Sequence, residues 1–510
     1  MASDSPNDSI TKNQSAPSSP AKVSLAVLIA LVIGSMIGGG IFGLPQQMGA
    51  AAAPGPLIIG WLITGAGMLM LAMVFQSLAV RRPDIDAGVY GYAKEGFGNY
   101  LGFSSAWGYW VSAWMGNVGY LVLLMTSIGV FLPGFGEGTT LLATVVSSAL
   151  LWLYHLLIMR GIREAAVVNV VVTIAKVVPL VVFILIGIIA FKASTFSADF
   201  WGTSSGLGSA LDQIKAMMLV TVWVFIGVEG ASVFSERARE RRDVGRATIT
   251  GFASLLALLL LVNLLSYGIV PREELAALKD PSLSGVLTAA VGPWGAKFIA
   301  AGLAISLIGA LLSWFLMCAE VLRVPALDDT MPRWFSRENK NGTPVGAMWL
   351  TTGMVQLVLI WAHFVGSTYT SLILLASALI LIPYLFSAAF HLINSFRNRE
   401  KAGIWDIITG IFGTVYAIWL LYAAGPKYLL FVGLFYLLGT PLLRRRPEAG
   451  EGEGLHHRRL DRHRRLLPDL DIRNLRTEHR SPLPLSPRNR TTTRQRPERN
   501  RPAQERTPTP

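Results

Sequence analysis

The sequence is poor in charge and nearly lacks cysteine. Asp, Glu, Lys and Arg make up only 15% of its 510 residues, against about 25% in soluble domains. Its one cysteine, Cys318, excludes a disulfide framework within the chain. The first twenty residues have neither the basic start nor the cleavage site of a signal peptide, so the first apolar run is expected to be retained. No His pair, metal-ligand spacing or nucleophile beside a base is present to support catalysis. The reading is therefore not an enzyme, with no metal and no cofactor. Lysine is absent after residue 443, where Arg and Pro take over.

What the chain has instead is long apolar runs, with 52% hydrophobic residues overall. About twelve runs reach the ~20 residues that a bilayer requires. They cover residues 23–44, 55–80, 100–131, 140–158, 165–191, 216–234, 249–270, 298–322, 345–365, 371–393, 404–424 and 428–443. The expected fold is an all-α membrane protein of about twelve transmembrane helices, here called spans 1 to 12. Three segments follow: a polar tail over 1–22, a transporter domain over 23–443, and an Arg/Pro-rich tail over 444–510 whose composition predicts disorder. Two origins of the second tail stay open. It is either a polybasic segment facing lipid or, the favoured reading, the product of a shifted reading frame, since Arg and Pro codons dominate such frames in GC-rich genes.

The loops set the orientation. Arg81, Arg82 and Lys94 follow span 2, Arg160 and Arg163 follow span 4, and Arg237, Arg239, Arg241, Arg242 and Arg246 follow span 6. Arg333, Arg337 and Lys340 follow span 8, and Arg397, Arg399 and Lys401 follow span 10. Positive charge is retained in the cytoplasm, so both termini are expected there, in a multi-pass protein of the cell membrane. The net charge of +13 is then topology plus tail, with no nucleic-acid partner implied.

Two spans carry glycine clusters where a bilayer helix should be regular: Gly34 and Gly38-Gly39-Gly40 in span 1, Gly227 and Gly230 in span 6. Each glycine costs a helix roughly 1 kcal/mol relative to Ala. Gly34 and Gly38 also fit a small-xxx-small packing face. Because the two spans lie five apart, each opens one half of a five-plus-five inverted repeat. Interruptions at matching positions of two halves point to a transporter binding site. A break at Gly38–Gly40 frees backbone N–H groups that suit a carboxylate. A break near Trp223 and Ile226 frees carbonyls that suit an ammonium group. Together they fit the zwitterionic end of an amino acid.

Polar residues inside spans add candidates. Glu229 in span 6 and Lys176 in span 5 are expensive in lipid; each is either a structural partner or part of gating and coupling. Glu320 is expected to snorkel or to pair with Arg323. Asn117 in span 3 needs partners, and Ser112 on the same span joins the substrate-binding candidates. Trp314, midway along span 8, is a packing residue or a cation–π platform for a guanidinium. Asp328-Asp329 reads as a loop ion-pair site beside Arg323 and Arg333.

These motifs resemble the basic amino acid antiporters of the amino acid–polyamine–organocation superfamily, and the arginine/ornithine group most of all. The likeness runs from about Val23 to Leu443. It rests on Ile33-Gly-Ser-Met-Ile-Gly-Gly-Gly-Ile-Phe42, Asp86-Ala-Gly-Val-Tyr-Gly-Tyr-Ala-Lys94 and Phe103-Ser-Ser-Ala-Trp-Gly-Tyr-Trp110 continuing to Trp114-Met-Gly-Asn117. Arg160-Gly-Ile-Arg-Glu-Ala-Ala166, the stretch from Trp223 to Glu229, and Gly342-Thr-Pro-Val345 complete it. The resemblance implies a carboxylate held at Gly38, Gly39 and Gly40 and an amino group held near Trp223 and Ile226. It implies a guanidinium against Trp314 and near Asn117, as in the arginine/agmatine branch. It makes Trp223, Tyr90 and Tyr109 gate aromatics and Glu229 a conformational or proton-linked acid. Lys176 matches the lysine that replaces a coupling sodium ion. Gly39 departs from that branch, which has a serine there, and the Arg/Pro tail stands where the nearest group has a further hydrophobic segment.

The expected function is exchange of basic amino acids, arginine for ornithine, by alternating access. Substrate and lipid bilayer are the expected partners, with a homodimer left open. The alternatives are a proton-coupled permease for lysine, arginine or polyamines and, more remotely, a membrane amino acid sensor, against which the lack of a folded soluble output domain argues.

Overall fold

The computed structural model describes residues 37–85, 87–161, 166–229, 241–398 and 402–443, with Leu25, Ile29 and Ile33 ahead of them. Both tails, Gly34, Asp86, Arg163, Gly230 and the arginines at 237 and 239 lie outside the described residues. All described residues fall in one compact unit, Met1–Arg446.

The unit is all-helical. Its helices are α1 (Leu44–Ala51), α2 (Pro54–Arg81), α3 (Gly88–Phe97), α4 (Asn99–Gly129), α5 (Leu141–Met159), α6 (Ala166–Ala190), α7 (Ala193–Ser197) and α8 (Ala210–Phe225). They continue as α9 (Arg241–Ile269), α10 (Arg272–Ala277), α11 (Ser282–Val291), α12 (Pro293–Leu327), α13 (Val345–Val365), α14 (Tyr369–Arg397) and α15 (Ile404–Gly439). Among the described residues, nine helices are long and apolar enough to cross a membrane. The remaining three expected spans are the two interrupted ones and the last, which is joined to the span over residues 404–424 in the single helix α15, where Gly425 (φ 74°, ψ 168°) bends the chain between them.

Depth in the bundle follows side-chain size. In α4, 94% of the membrane-crossing window is buried, against 33% in α5. Gly102, Ser104, Ser105, Ala106, Gly108, Ser112, Ala113, Gly116 and Gly119 run along α4 and let its neighbours pack closely around it, α12 and α14 most extensively. On α5, Leu141, Val145, Leu153 and Leu156 face outward, which suits lipid and not water.

Both glycine-marked spans are broken. A helical bond from Ile37 N–H to Ile33 O (2.9 Å) ends the first piece of span 1. Gly38 is extended (φ −103°, ψ −167°), a 3-10 turn follows over Gly39–Phe42, and α1 restarts the helix with Pro45 in its first turn. In span 6, Ser209 and Asp212 form a capping box that starts α8. The helix stops at Phe225 because Gly227 turns to φ 103°, a conformation that a side chain disfavours.

Candidate functional site

The two breaks meet. A Cβ on Gly40 would stand 2.8 Å from Trp223 Cδ1, so only glycine lets the first break approach the indole that closes α8. Beside this contact lies a small pocket lined by Ser112, Ala113, Gly116, Tyr120, Trp223, Ile226 and Trp314. Four expected substrate residues, Ser112, Trp223, Ile226 and Trp314, therefore share one wall. Gly38, Gly39 and Gly40 adjoin it behind Tyr120 and Trp223. The Tyr120 hydroxyl lies 2.5 Å from where a Gly38 Cβ would be, and the edge of its ring 3.5 Å from the same point on Gly39.

Asn117 does not line the cavity. Its Nδ2 donates to Cys318 Sγ at 3.6 Å, and its buried Oδ1 has no donor among the described residues. Ser112 donates its hydroxyl to Ala376 O at 2.7 Å, so its side chain is already engaged with α14. At the second break, Ile226 N–H returns to Trp223 O (3.3 Å) and Val228 N–H to Phe225 O (3.0 Å). Each carbonyl keeps a second lone pair for a ligand.

Lys176 sits at the first break and not at the cavity. Its ammonium donates to Ile37 O at 2.9 Å, a carbonyl left over where the helix stops. Glu229 lies one turn below the cavity. Its Oε1 accepts from Tyr109 Oη (2.6 Å) and its Oε2 from Tyr384 Oη (2.7 Å) and from Gly227 N–H (3.2 Å). The acid thus both braces the break and ties three segments together. Further toward the same end, Lys94 pairs with Asp328 at 2.6 Å, and Tyr90 donates to Asp328 (2.5 Å). Asp329 pairs with Arg333, and Arg323 with Glu320 and Glu338.

The opposite end is closed by other groups. Trp223 Nε1 donates to Tyr369 Oη at 2.9 Å, and Tyr120 packs edge-on to the same indole at 5.6 Å. Beyond them Lys279 pairs with Glu137 at 2.8 Å. Asp280, next in the chain, is half-buried with its Oδ1 shut away from solvent, and this burial, with Glu137 nearby adding to it, lifts its carboxyl to about 7. Tyr120, Tyr369, Tyr384 and Asp280 were not among the sequence candidates. Tyr120 was within reach of that reading, since it lies three residues from Asn117 on one helix face.

Residues 23–437 match the amino acid permease family model. An arginine/ornithine antiporter of Pseudomonas aeruginosa is 54% identical over 82% of this chain and 90% of its own. An L-lysine transport protein of Corynebacterium glutamicum is 42% identical (84% and 89%). An arginine/agmatine antiporter of Chlamydia abortus is 40% identical (81% and 87%). With two broken helices meeting beside a pocket and a match over residues 23–437, the chain belongs to the amino acid permease family of multi-pass membrane proteins.

Proposed function

We propose that the protein exchanges basic amino acids across the cell membrane, arginine against ornithine, by alternating access around the cavity between the two breaks. The observation that carries this reading is the meeting of Gly40 with Trp223 beside a cavity walled by Trp314. The Gly38–Gly40 backbone N–H groups take the carboxylate, and the last carbonyls of α8 take the amino group. Trp314 offers its ring to the cationic side chain. The Tyr109–Glu229–Tyr384 and Lys94–Asp328–Tyr90 clusters close one face and the Trp223–Tyr369 contact the other. The Lys and Arg pattern supports placing the first face and both termini in the cytoplasm.

Arginine and ornithine each carry one net positive charge, so one-for-one exchange moves none. A membrane potential, worth about 2.3 kcal/mol per charge per 100 mV, then neither drives nor opposes it. Counterflow in proteoliposomes tests this: labelled arginine enters only against internal ornithine, lysine or arginine, at a rate unaffected by an imposed potential. The likeness to an L-lysine transport protein fits the second reading, a permease for lysine, arginine or polyamines, which we take as proton-coupled. Arginine entry into empty liposomes under a proton gradient would establish that reading instead.

A further inference from the structure

The turn between α10 and α11 folds back over the start of α1. Gln46 fastens it, its backbone N–H donating to Ser282 Oγ (3.1 Å) and its Nε2 to Ala276 O (3.1 Å). Under this strap three groups crowd Gly43. Asp280 Oδ1, Gln47 Nε2 and Tyr369 Cε1 stand 2.9, 3.0 and 3.2 Å from the point a Gly43 Cβ would occupy. Gln47 gives its Nε2 to Thr370 Oγ1 at 3.2 Å. Two buried acceptors remain with no donor among the described residues, Gln47 Oε1 and Asp280 Oδ1. Gln47 is 3% exposed.

An unsatisfied buried acceptor is costly, and two at one corner of a native fold are uncommon. The obvious internal cation is engaged elsewhere, since Lys279 is paired with Glu137. Tyr369 separates the cluster from the central cavity, because its hydroxyl holds Trp223 on the far side. Any solute that reaches the cavity by displacing Tyr369 passes these two oxygens. Divalent metal ions such as Ca²⁺ take 6–8 oxygen ligands, more than this corner offers. A guanidinium or ammonium brings several N–H donors and one positive charge, which suits a carboxylate beside an amide oxygen.

We infer that Asp280 and Gln47 form an outer subsite that holds the cationic side chain of a basic substrate before the Tyr369–Trp223 lid opens. The inference rests on the exchange function proposed above. Entry from this face is then a two-step capture, and entry from the other face is not.

Sided transport tests it. Arginine exchange is measured in right-side-out and in inverted membrane vesicles carrying the full chain, as wild type, Asp280→Asn, Asp280→Glu and Gln47→Met. Asp280→Asn is expected to raise KM at the Asp280 face at least about fivefold, the loss of one good hydrogen bond to a charged group. KM at the opposite face stays at the wild-type value, Asp280→Glu restores most of the loss, and Gln47→Met shifts KM at the same face. An equal change at both faces, or none at either, overturns the subsite while leaving exchange in place. Absence of exchange in the wild-type vesicles sinks the exchange reading itself, and the subsite with it. Replacing sodium by choline is a further arm; a wild-type KM that follows sodium would give these oxygens to a metal ion and overturn the assignment.

Discussion

Tyr120 sets its phenol oxygen against Gly38, 2.5 Å from where a Cβ of that residue would stand, over the backbone that the first break would offer to a substrate carboxylate. The hydroxyl thus stands where a carboxylate oxygen would. Binding must exchange one acceptor for the other, and the weaker, neutral acceptor is the one displaced.

Tyr120→Phe removes that competitor and keeps the ring packed on Trp223. Arginine affinity should rise by roughly 1 kcal/mol, about fivefold, the net worth of a neutral hydrogen bond. Equilibrium binding of labelled arginine to purified protein measures it. A weaker affinity would mean that the hydroxyl contacts the bound substrate.

The Trp223–Tyr369 bond closes one face with a single neutral hydrogen bond. Tyr369→Phe leaves the ring in place and frees the indole N–H. The closed state should lose about 1 kcal/mol, and one-way efflux of arginine into substrate-free buffer should rise several-fold relative to exchange. Efflux at the wild-type rate would show that packing alone holds the lid.

The breaks were legible because glycine has a specific cost in a helix: Gly38–Gly40 in a row and Gly227 mark where a helix gives way, and both spans are interrupted there. Lys176 and Glu229 stood out because a charge in lipid needs a partner, and the structure supplies Ile37 O for one and two tyrosines for the other. The identity of those partners was not legible. Tyr384 lies 155 residues from Glu229, and Tyr369 meets Trp223 across a similar separation; no local pattern encodes such pairings. Asp280 was invisible for a different reason. A lone acid in a loop reads as solvated, and only the strap across α1 buries it.

Glu229 receives three donors, two of them tyrosine hydroxyls. An amide has one oxygen and turns its NH₂ toward one of those hydroxyls. Glu229→Gln therefore weakens the clasp by about 1.5–3 kcal/mol, the worth of a hydrogen bond to a charged group. Exchange turnover is expected to fall about tenfold, with arginine affinity nearly unchanged, because the cavity wall is intact. Loss of a proton-gradient response in this variant would favour the proton-coupled reading.

Trp314 gives the cavity a ring face with no charge. Trp314→Leu keeps the apolar volume and discards the π-system. Arginine binding should weaken by about 0.5–2 kcal/mol, with ornithine affected less, since a planar guanidinium stacks on an indole better than an ammonium does. Competition binding with both ligands reads the difference, and equal losses would place the guanidinium elsewhere.

Asp280 predicts a pH dependence whose sign is fixed by its surroundings. Its carboxyl is lifted from 3.8 to about 7 by burial and, secondarily, by Glu137. Lys279 is held by Glu137, Arg272 by Gly49 O and Glu273, and Tyr369 is uncharged, so none of these offsets the buried charge. The fold prefers the neutral acid. Its stability is complete below the unfolded value of 3.8 and is lost as pH rises toward the folded value near 7, at about 1.4 kcal/mol per unit. The unfolding midpoint of the empty protein in detergent should therefore fall between about pH 5 and pH 7 and level off above. Asp280→Asn has no proton to lose and should give a flatter profile that lies above wild type at neutral pH. Saturating arginine should flatten the wild-type profile as well, because a bound cation supplies the partner that the carboxylate lacks. Parallel profiles for wild type and Asp280→Asn would show that this carboxyl does not control stability.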